Sequence, residues 1–250
     1  MELTFKVSSY KLAAFCSLIQ LNCFDSSIRN LLCFKFMNER WDGIMNNTWN
    51  KLIYKIGSSF YDKFFNTGMF LKTRKKIFQE VPFQSKQKIL YVGIGTGADL
   101  ELINYVDYDI TAIDYSPDML DKAKSKFERS AIKFLKMDAQ KMAFEDESFD
   151  YIVASLILSV VPDENKCFGE MIRVLKKDGR ILIFDKFAPK NQKITLTKKL
   201  VRPFISILGT DIGRSFEELF SHNEQRLKII KDDPVMLSGM YRYIEVIKVY

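Results

Sequence analysis

The stretch "KILYVGIGTGADL", Lys88–Leu100, decides the fold. An apolar run, Ile89–Val92, ends in three glycines at alternate positions, Gly93, Gly95 and Gly97. Glycine accepts positive φ and lets another group come close to the backbone. Set between a strand and a helix, such a turn presents free N–H groups at the helix start, an arrangement that receives a nucleotide-containing cofactor. The plainer alternative is a tight strand-to-helix turn that holds nothing. "GIGTGA" also satisfies the loose G-x-G-x-x-G/A pattern of dinucleotide sites. The loop alone therefore leaves the cofactor open.

Outward from the loop, the pattern alternates. "TGADLELINYV" reads as a helix, "YDITAIDY" as a strand, and "SPDMLDKAKSKFERS" as a helix with Ser116 at its N-cap and Pro117 in its first turn. "AIKFLKMD" reads as a strand, and "FDYIVASLILSVV" as a strand running into a loop. "DENKCFGEMIRVL" reads as a helix closed by "KKDG", and "RILIFDKF" as a strand. Near-continuous apolar strands alternating with helices imply a parallel sheet covered on both faces. The last run, "RLKIIKDDPVMLSGMYRYIEVIKVY", holds two strand-like segments around a glycine-containing turn and predicts a hairpin. The expected fold is α/β: a Rossmann-like doubly wound sheet, mostly parallel, with an antiparallel C-terminal strand. Aromatics at helical spacing after Met45, among them Trp49, Tyr54, Phe60, Tyr61, Phe64 and Phe65, predict a helical N-terminal cap over residues 45–85. The main domain is then 86–250, with a basic, apolar insertion at 186–214.

The chain has 250 residues, enough for one α/β domain with additions or two small domains. Its 47% hydrophobic and 28% charged content is that of a soluble globular protein. The net charge of +7 fits an anionic partner, such as a membrane surface or an acidic ligand, and fits a solvated basic surface equally well. No interleaved basic-aromatic stripe argues for nucleic acid. Cys16, Cys23, Cys33 and Cys167 match no disulfide or zinc spacing, which reads as a reducing, cytoplasmic setting. With His222 the only histidine, a multi-histidine metal site is excluded. The apolar run "KLAAFCSLIQLNCF" is too short to span a bilayer comfortably and is followed by no clean signal-cleavage pattern. Codons for Glu39-Arg40-Trp41 can spell a purine-rich ribosome-binding site ahead of Met45. Residues 1–44 are accordingly read as an upstream extension of the frame, with Met45 as the native start.

Two carboxylates narrow the cofactor. Asp114 ends the second strand in "TAIDYSPDML", where it can accept both ribose hydroxyls of an adenosine. Asp138 ends the third strand in "FLKMDAQKMAF", where it can accept from an adenine amino group. Here the chain resembles the class I S-adenosylmethionine-dependent methyltransferases. The matching pieces are "VGIGTGADL", "AIDYSPDML", "KMDAQKMAFEDESFDYIVASLILSVVPD" and "MIRVLKKDGRILIFD", in that order, and the resemblance covers roughly residues 89–250. Within that family it is similar to the branch of bacterial phosphatidylethanolamine N-methyltransferases and quinone-biosynthesis methyltransferases. "FDKFAPK" followed by "KKLVRPFISILGTDIGRSFEEL" leans to the phospholipid side.

The resemblance implies S-adenosyl-L-methionine as cofactor, and it implies roles. Gly93, Gly95 and Gly97 let the methionine portion lie on the loop. Asp114 holds the ribose, Tyr115 or Met119 flanks the adenine, and Asp138 with the backbone of Ala139 reads its edge. Ser155 and Leu156 lie near the sulfonium. Tyr61 covers the cofactor or is a core tyrosine of an amphipathic helix. Two departures stand out. Relatives carry an acidic residue two positions before the first motif glycine, and this chain has Tyr91; many carry a histidine after the fourth strand, where this chain has "LILSVVPD" with Ser159.

Methyl transfer from a sulfonium needs mainly alignment and exclusion of water, so the sparse catalytic inventory is no obstacle. For an amine acceptor, Tyr61, Asp163 or water takes the proton. The insertion carries Lys186, Lys190, Lys193, Lys198, Lys199, Arg202 and Arg214 together with "FISIL". It suits an anionic membrane and a lipid head group, or is an ordinary basic surface helix. Three functions follow: a phospholipid methyltransferase, peripheral on the inner face of the membrane; a soluble methyltransferase for a small acceptor such as a quinone precursor or a thiol; and a cofactor-binding protein without catalysis.

Overall fold

The computed structural model describes residues 66–188 and 214–250, all within the unit Met45–Tyr250. Tyr61, most of the expected N-terminal cap, the 1–44 extension and residues 189–213 of the insertion lie outside the described residues.

The order is α1 (Gly68–Glu80), β1 (Lys88–Val92), β2 (Asp109–Asp114), α2 (Pro117–Lys126), β3 (Lys133–Lys136), β4 (Phe149–Ser155), α3 (Glu164–Val174), β5 (Leu175–Lys186), α4 (Phe216–Ser221), β6 (Leu227–Met236) and β7 (Tyr241–Lys248). The strands form one sheet in the order β3-β2-β1-β4-β5-β7-β6. β1 to β5 pair in parallel, and β7 runs antiparallel to both neighbours, β5 and β6. This is the expected doubly wound sheet with its reversed C-terminal strand.

Period-two alternation explains why the strands read as unbroken apolar runs. Leu90 and Val92 of β1 join Ile152, Ile181 and Ile183 beneath α3, where Phe168, Met171 and Ile172 pack. Ile89 and Tyr91 join Ile110, Val153 and Phe184 on the other side, against Phe70, Ile77 and Phe78 of α1. Both faces are therefore buried, as a parallel sheet requires.

Three local expectations change. "TGADLELINYV" forms two 3-10 turns, Leu100–Leu102 and Tyr105–Asp107, instead of a helix. Asn104, its side chain donating to Asp107 at 2.6 Å, turns the chain out at φ −82°, ψ 76°, too soon for an i→i−4 ladder to build. Ser116 does precede α2 and Pro117 does open it, yet the serine side chain makes no capping bond. "KKDG" belongs to β5 itself: Asp178 at φ 61° absorbs an irregularity in the β4–β5 register.

Candidate functional site

The C-terminal ends of the parallel strands lie along one edge of the sheet. β1 has β2 on one side and β4 on the other, so the strand order reverses there, and a crevice opens where ligands bind in such sheets. Gly93 and Ile94 both donate their N–H to the Ile113 carbonyl, at 2.9 and 3.0 Å, which folds the glycine loop over the end of β2.

All three loop glycines have positive φ: 71° at Gly93, 57° at Gly95 and 78° at Gly97. They differ in what they face. A Cβ on Gly93 would lie 2.6 Å from Ile157 Cδ1, and one on Gly97 would lie 2.8 Å from Phe127 Cε2. Those two are glycines because the protein packs on them. A Cβ on Gly95 would meet no described residue within 4 Å. Its bare face is open among the described residues, which is what a cradle for a close-lying ligand requires.

Asp114 is woven into this loop. One carboxylate oxygen accepts the Gly95 N–H and the other the Ser116 N–H, each at 2.8 Å. Burial pushes its carboxyl pKa up, and these backbone bonds partly oppose that. It is half-buried rather than a free strand-end acid, and each oxygen keeps lone-pair capacity for a second donor. Tyr115 is exposed beside it, while Met119 is buried in α2. Of the two adenine-flanking candidates, only Tyr115 is exposed.

Asp138 follows β3, with Ala139 buried behind it. Its carboxylate accepts from the Gln140 backbone at 2.9 Å and the Gln140 amide at 3.0 Å. The Gln140 side-chain oxygen in turn accepts the Asp163 N–H at 3.0 Å. Gln140 thus ties the β3 loop to the start of α3, a role sequence reasoning did not assign. Asp163 is the N-cap of α3, accepting the Lys166 N–H at 3.0 Å and pairing with the Lys166 ammonium at 3.1 Å. The Lys166 N–H leads in holding its carboxyl below the ordinary range. That makes Asp163 a weaker base than an ordinary aspartate, contrary to what a proton acceptor needs.

Ser155 closes β4, and Leu156 adopts φ 56° with its N–H donated to the Phe184 carbonyl at 2.8 Å. The reversal swings Ile157 back over Gly93. Asp185, near the end of β5, is fully buried and accepts the Ser159 N–H at 3.1 Å and the Lys186 N–H at 2.8 Å; burial raises its pKa. A charged residue inside "RILIFDKF" was the sequence signal for it. Tyr91 is buried, and its hydroxyl has no partner among the described residues. The nearby carboxylate is Asp99, bound to the buried Arg74 of α1 at 2.6 Å. Arg214 is also buried, paired with Glu164 and with loop carbonyls, so it leaves the set of cations free to meet a membrane.

A cleft of about 520 Å³ lies at the opposite end of the sheet, lined by Asp146, Glu147, Arg173, Arg226, Lys248 and Tyr250. Arg173 there is bound to Asp146 and Glu170, and Lys248 to Glu147, so most of its charge is already matched. The described residues contain no cluster able to hold a metal ion and no helix long and apolar enough to cross a membrane.

Residues 90–183 match the family described as "Methyltransferase domain". Among curated proteins, the chain is 31% identical over 161 residues to a phosphatidylethanolamine N-methyltransferase of Cereibacter sphaeroides, covering 63% of this chain and 78% of that one. It is 33% identical over 153 residues to a demethylmenaquinone methyltransferase of Staphylococcus aureus, covering 58% of this chain and 62% of that one. Among solved structures it resembles a chain from a complex with the Trm112 methyltransferase activator of Haloferax volcanii. That match has a TM-score of 0.64 and 16% identity over 79% of this chain and 98% of the other, a likeness of fold.

Proposed function

The chain belongs to the class I S-adenosylmethionine-dependent methyltransferases, and we propose that within them it methylates the amine head group of a phospholipid at a membrane surface. The observation that carries this reading is the 31% identity to a phosphatidylethanolamine N-methyltransferase across 78% of that protein's length. The basic, apolar composition of the 186–214 insertion supports it.

S-adenosylmethionine supplies a methyl group already activated on a sulfonium. On this reading, the residues around the crevice bind and orient. The open face of Gly95 receives the methionine portion, with Gly93 and Gly97 shaping the loop around it. Asp114 accepts from the ribose hydroxyls, Tyr115 flanks the adenine, and Asp138 with the Ala139 backbone reads its edge. Ser155 and Leu156 lie near the sulfonium. The amine proton passes to Tyr61 or to water in preference to Asp163, whose carboxylate already caps α3.

Asp114→Ala removes the ribose acceptor and also frees the Gly95 N–H. Losing hydrogen bonds to a charged group costs about 1.5–3 kcal/mol, so calorimetry should show S-adenosylhomocysteine affinity reduced roughly tenfold to hundredfold. The ribose hydroxyls need the ionised carboxylate. Because burial raises its pKa, wild-type affinity should fall on acidification at a higher pH than an ordinary aspartate titrates. Unchanged affinity in a folded Asp114→Ala variant counts against the assignment.

The membrane part is tested by sedimentation with anionic vesicles and by turnover of radiolabelled cofactor on phosphatidylethanolamine. Each basic residue near an anionic surface contributes about 1 kcal/mol, screened by salt. The double variant Lys198→Glu, Lys199→Glu should therefore lose vesicle binding and lipid turnover while keeping S-adenosylhomocysteine affinity, and high salt should mimic it. Wild-type protein that stays in the supernatant at low salt sinks the lipid reading. A small soluble acceptor then takes its place, a reading supported by the similarity to demethylmenaquinone methyltransferase. No turnover on either acceptor class leaves cofactor binding without catalysis.

A further inference from the structure

The loop after β4 is held from two sides by groups that the cofactor reading does not use. Residues 157–161 make one helical turn, with the Val160 and Val161 N–H groups both donating to the Ile157 carbonyl at 3.0 Å. A turn this short leaves carbonyls at its end with no onward helical partner. Arg214 supplies one: its guanidinium donates to the Leu158 carbonyl and, at 2.6 Å, to the Val161 carbonyl. It pairs as well with Glu164, at the start of α3, at 3.4 Å. From the β5 side, Asp185 accepts the Ser159 N–H at 3.1 Å. Arg214, Ser159 and Leu158 are all buried, so these bonds are sheltered from competing water.

The same loop carries Ile157, the side chain pressed against the bare face of Gly93. Arg214, more than fifty residues downstream, therefore bears on the first glycine of the cofactor loop through a single intervening turn of chain. We propose that Arg214 is a positioning residue: it fixes the loop after β4 through the Leu158 and Val161 carbonyls, and so sets Ile157 on Gly93 and the shape of the cofactor cradle. Asp185 holds the opposite side of that loop. The proposal rests on the glycine loop being the S-adenosylmethionine site.

The test uses S-adenosylhomocysteine as probe, with calorimetric affinity and thermal stability measured on the same full-length samples. Arg214→Met keeps an apolar stem in the buried position and removes the donors. Its affinity should fall by about tenfold at a temperature where circular dichroism shows it folded. Guanidinium at a sub-denaturing concentration should restore part of that loss in Arg214→Met and none of it in Asp114→Ala. A residue that only stabilises the fold would lower the melting temperature and leave both affinity and rescue unmoved. If Arg214→Met does not fold, Arg214→Lys decides: one ammonium cannot serve both carbonyls with a guanidinium's geometry, and its affinity should drop at least threefold. Wild-type affinity in a folded Arg214→Met or Arg214→Lys variant overturns the proposal alone. A wild-type protein that does not bind S-adenosylhomocysteine overturns the cofactor reading and the proposal together.

Discussion

Gly95→Val should abolish S-adenosylhomocysteine binding and leave the protein folded. Valine at φ 57° is strained by about 1–3 kcal/mol, because a β-branched side chain resists the left-handed region. That cost is local and survivable, since no described residue stands within 4 Å of the new Cβ. The branched side chain instead fills the crevice and blocks close approach to the loop backbone. A loss of at least about a hundredfold, roughly 2.7 kcal/mol, should be read by calorimetry at a temperature where circular dichroism shows native structure. The neighbouring glycine gives the contrast. Gly93→Val drives its Cβ into Ile157 at 2.6 Å, so its first effect is on stability. A folded Gly95→Val variant that binds the probe as the wild type does would mean the loop is not the cradle.

The difference between these two glycines marks how far the sequence could be read. The alternation of apolar runs carried the sheet, because strands buried on both faces leave an unbroken pattern and a hairpin leaves its turn. That the glycine loop, Asp114 and Asp138 lie at strand ends was legible, because topology dictates those positions; their part in binding is the proposal. Which glycine faces protein and which faces open space was not legible, since Ile157 and Phe127 reach them from 64 and 30 residues away. The same reason hid Gln140, whose amide joins Asp138 to the Asp163 N–H. It also hid Arg214, which in sequence is one more cation in a basic run and in the fold is buried against two carbonyls. Charge counting treats all lysines and arginines as solvated. Only packing separates those that can meet an anionic surface from those already committed.

Arg242 is the second such commitment, and its loss should be the most destabilising single change considered. It lies on β7, 3% exposed, with Nε and one terminal nitrogen on the two oxygens of Asp232 at 2.9 and 2.6 Å. The same terminal nitrogen reaches Glu217 of α4 at 2.9 Å. Its guanidinium lies 5.7 Å from the centre of the Phe187 ring and 5.3 Å from that of Phe216. Arg242→Met removes the bidentate partner of Asp232, the partner of Glu217 and the cation beside both rings. Breaking a buried pair on one side costs about 3–5 kcal/mol, which for a chain of this size lowers the melting temperature by roughly 10 °C. Urea denaturation checks it, and an Arg242→Met variant as stable as the wild type would show that these contacts do not hold the fold. The consequence reaches the site. Phe187 and Phe216 flank the points where residues 189–213 leave and rejoin the described fold, and the Ala188 N–H there donates to the Arg214 carbonyl at 2.8 Å. Loosening Arg242 should therefore weaken S-adenosylhomocysteine binding indirectly, by freeing the strand ends that hold Arg214 over the loop after β4.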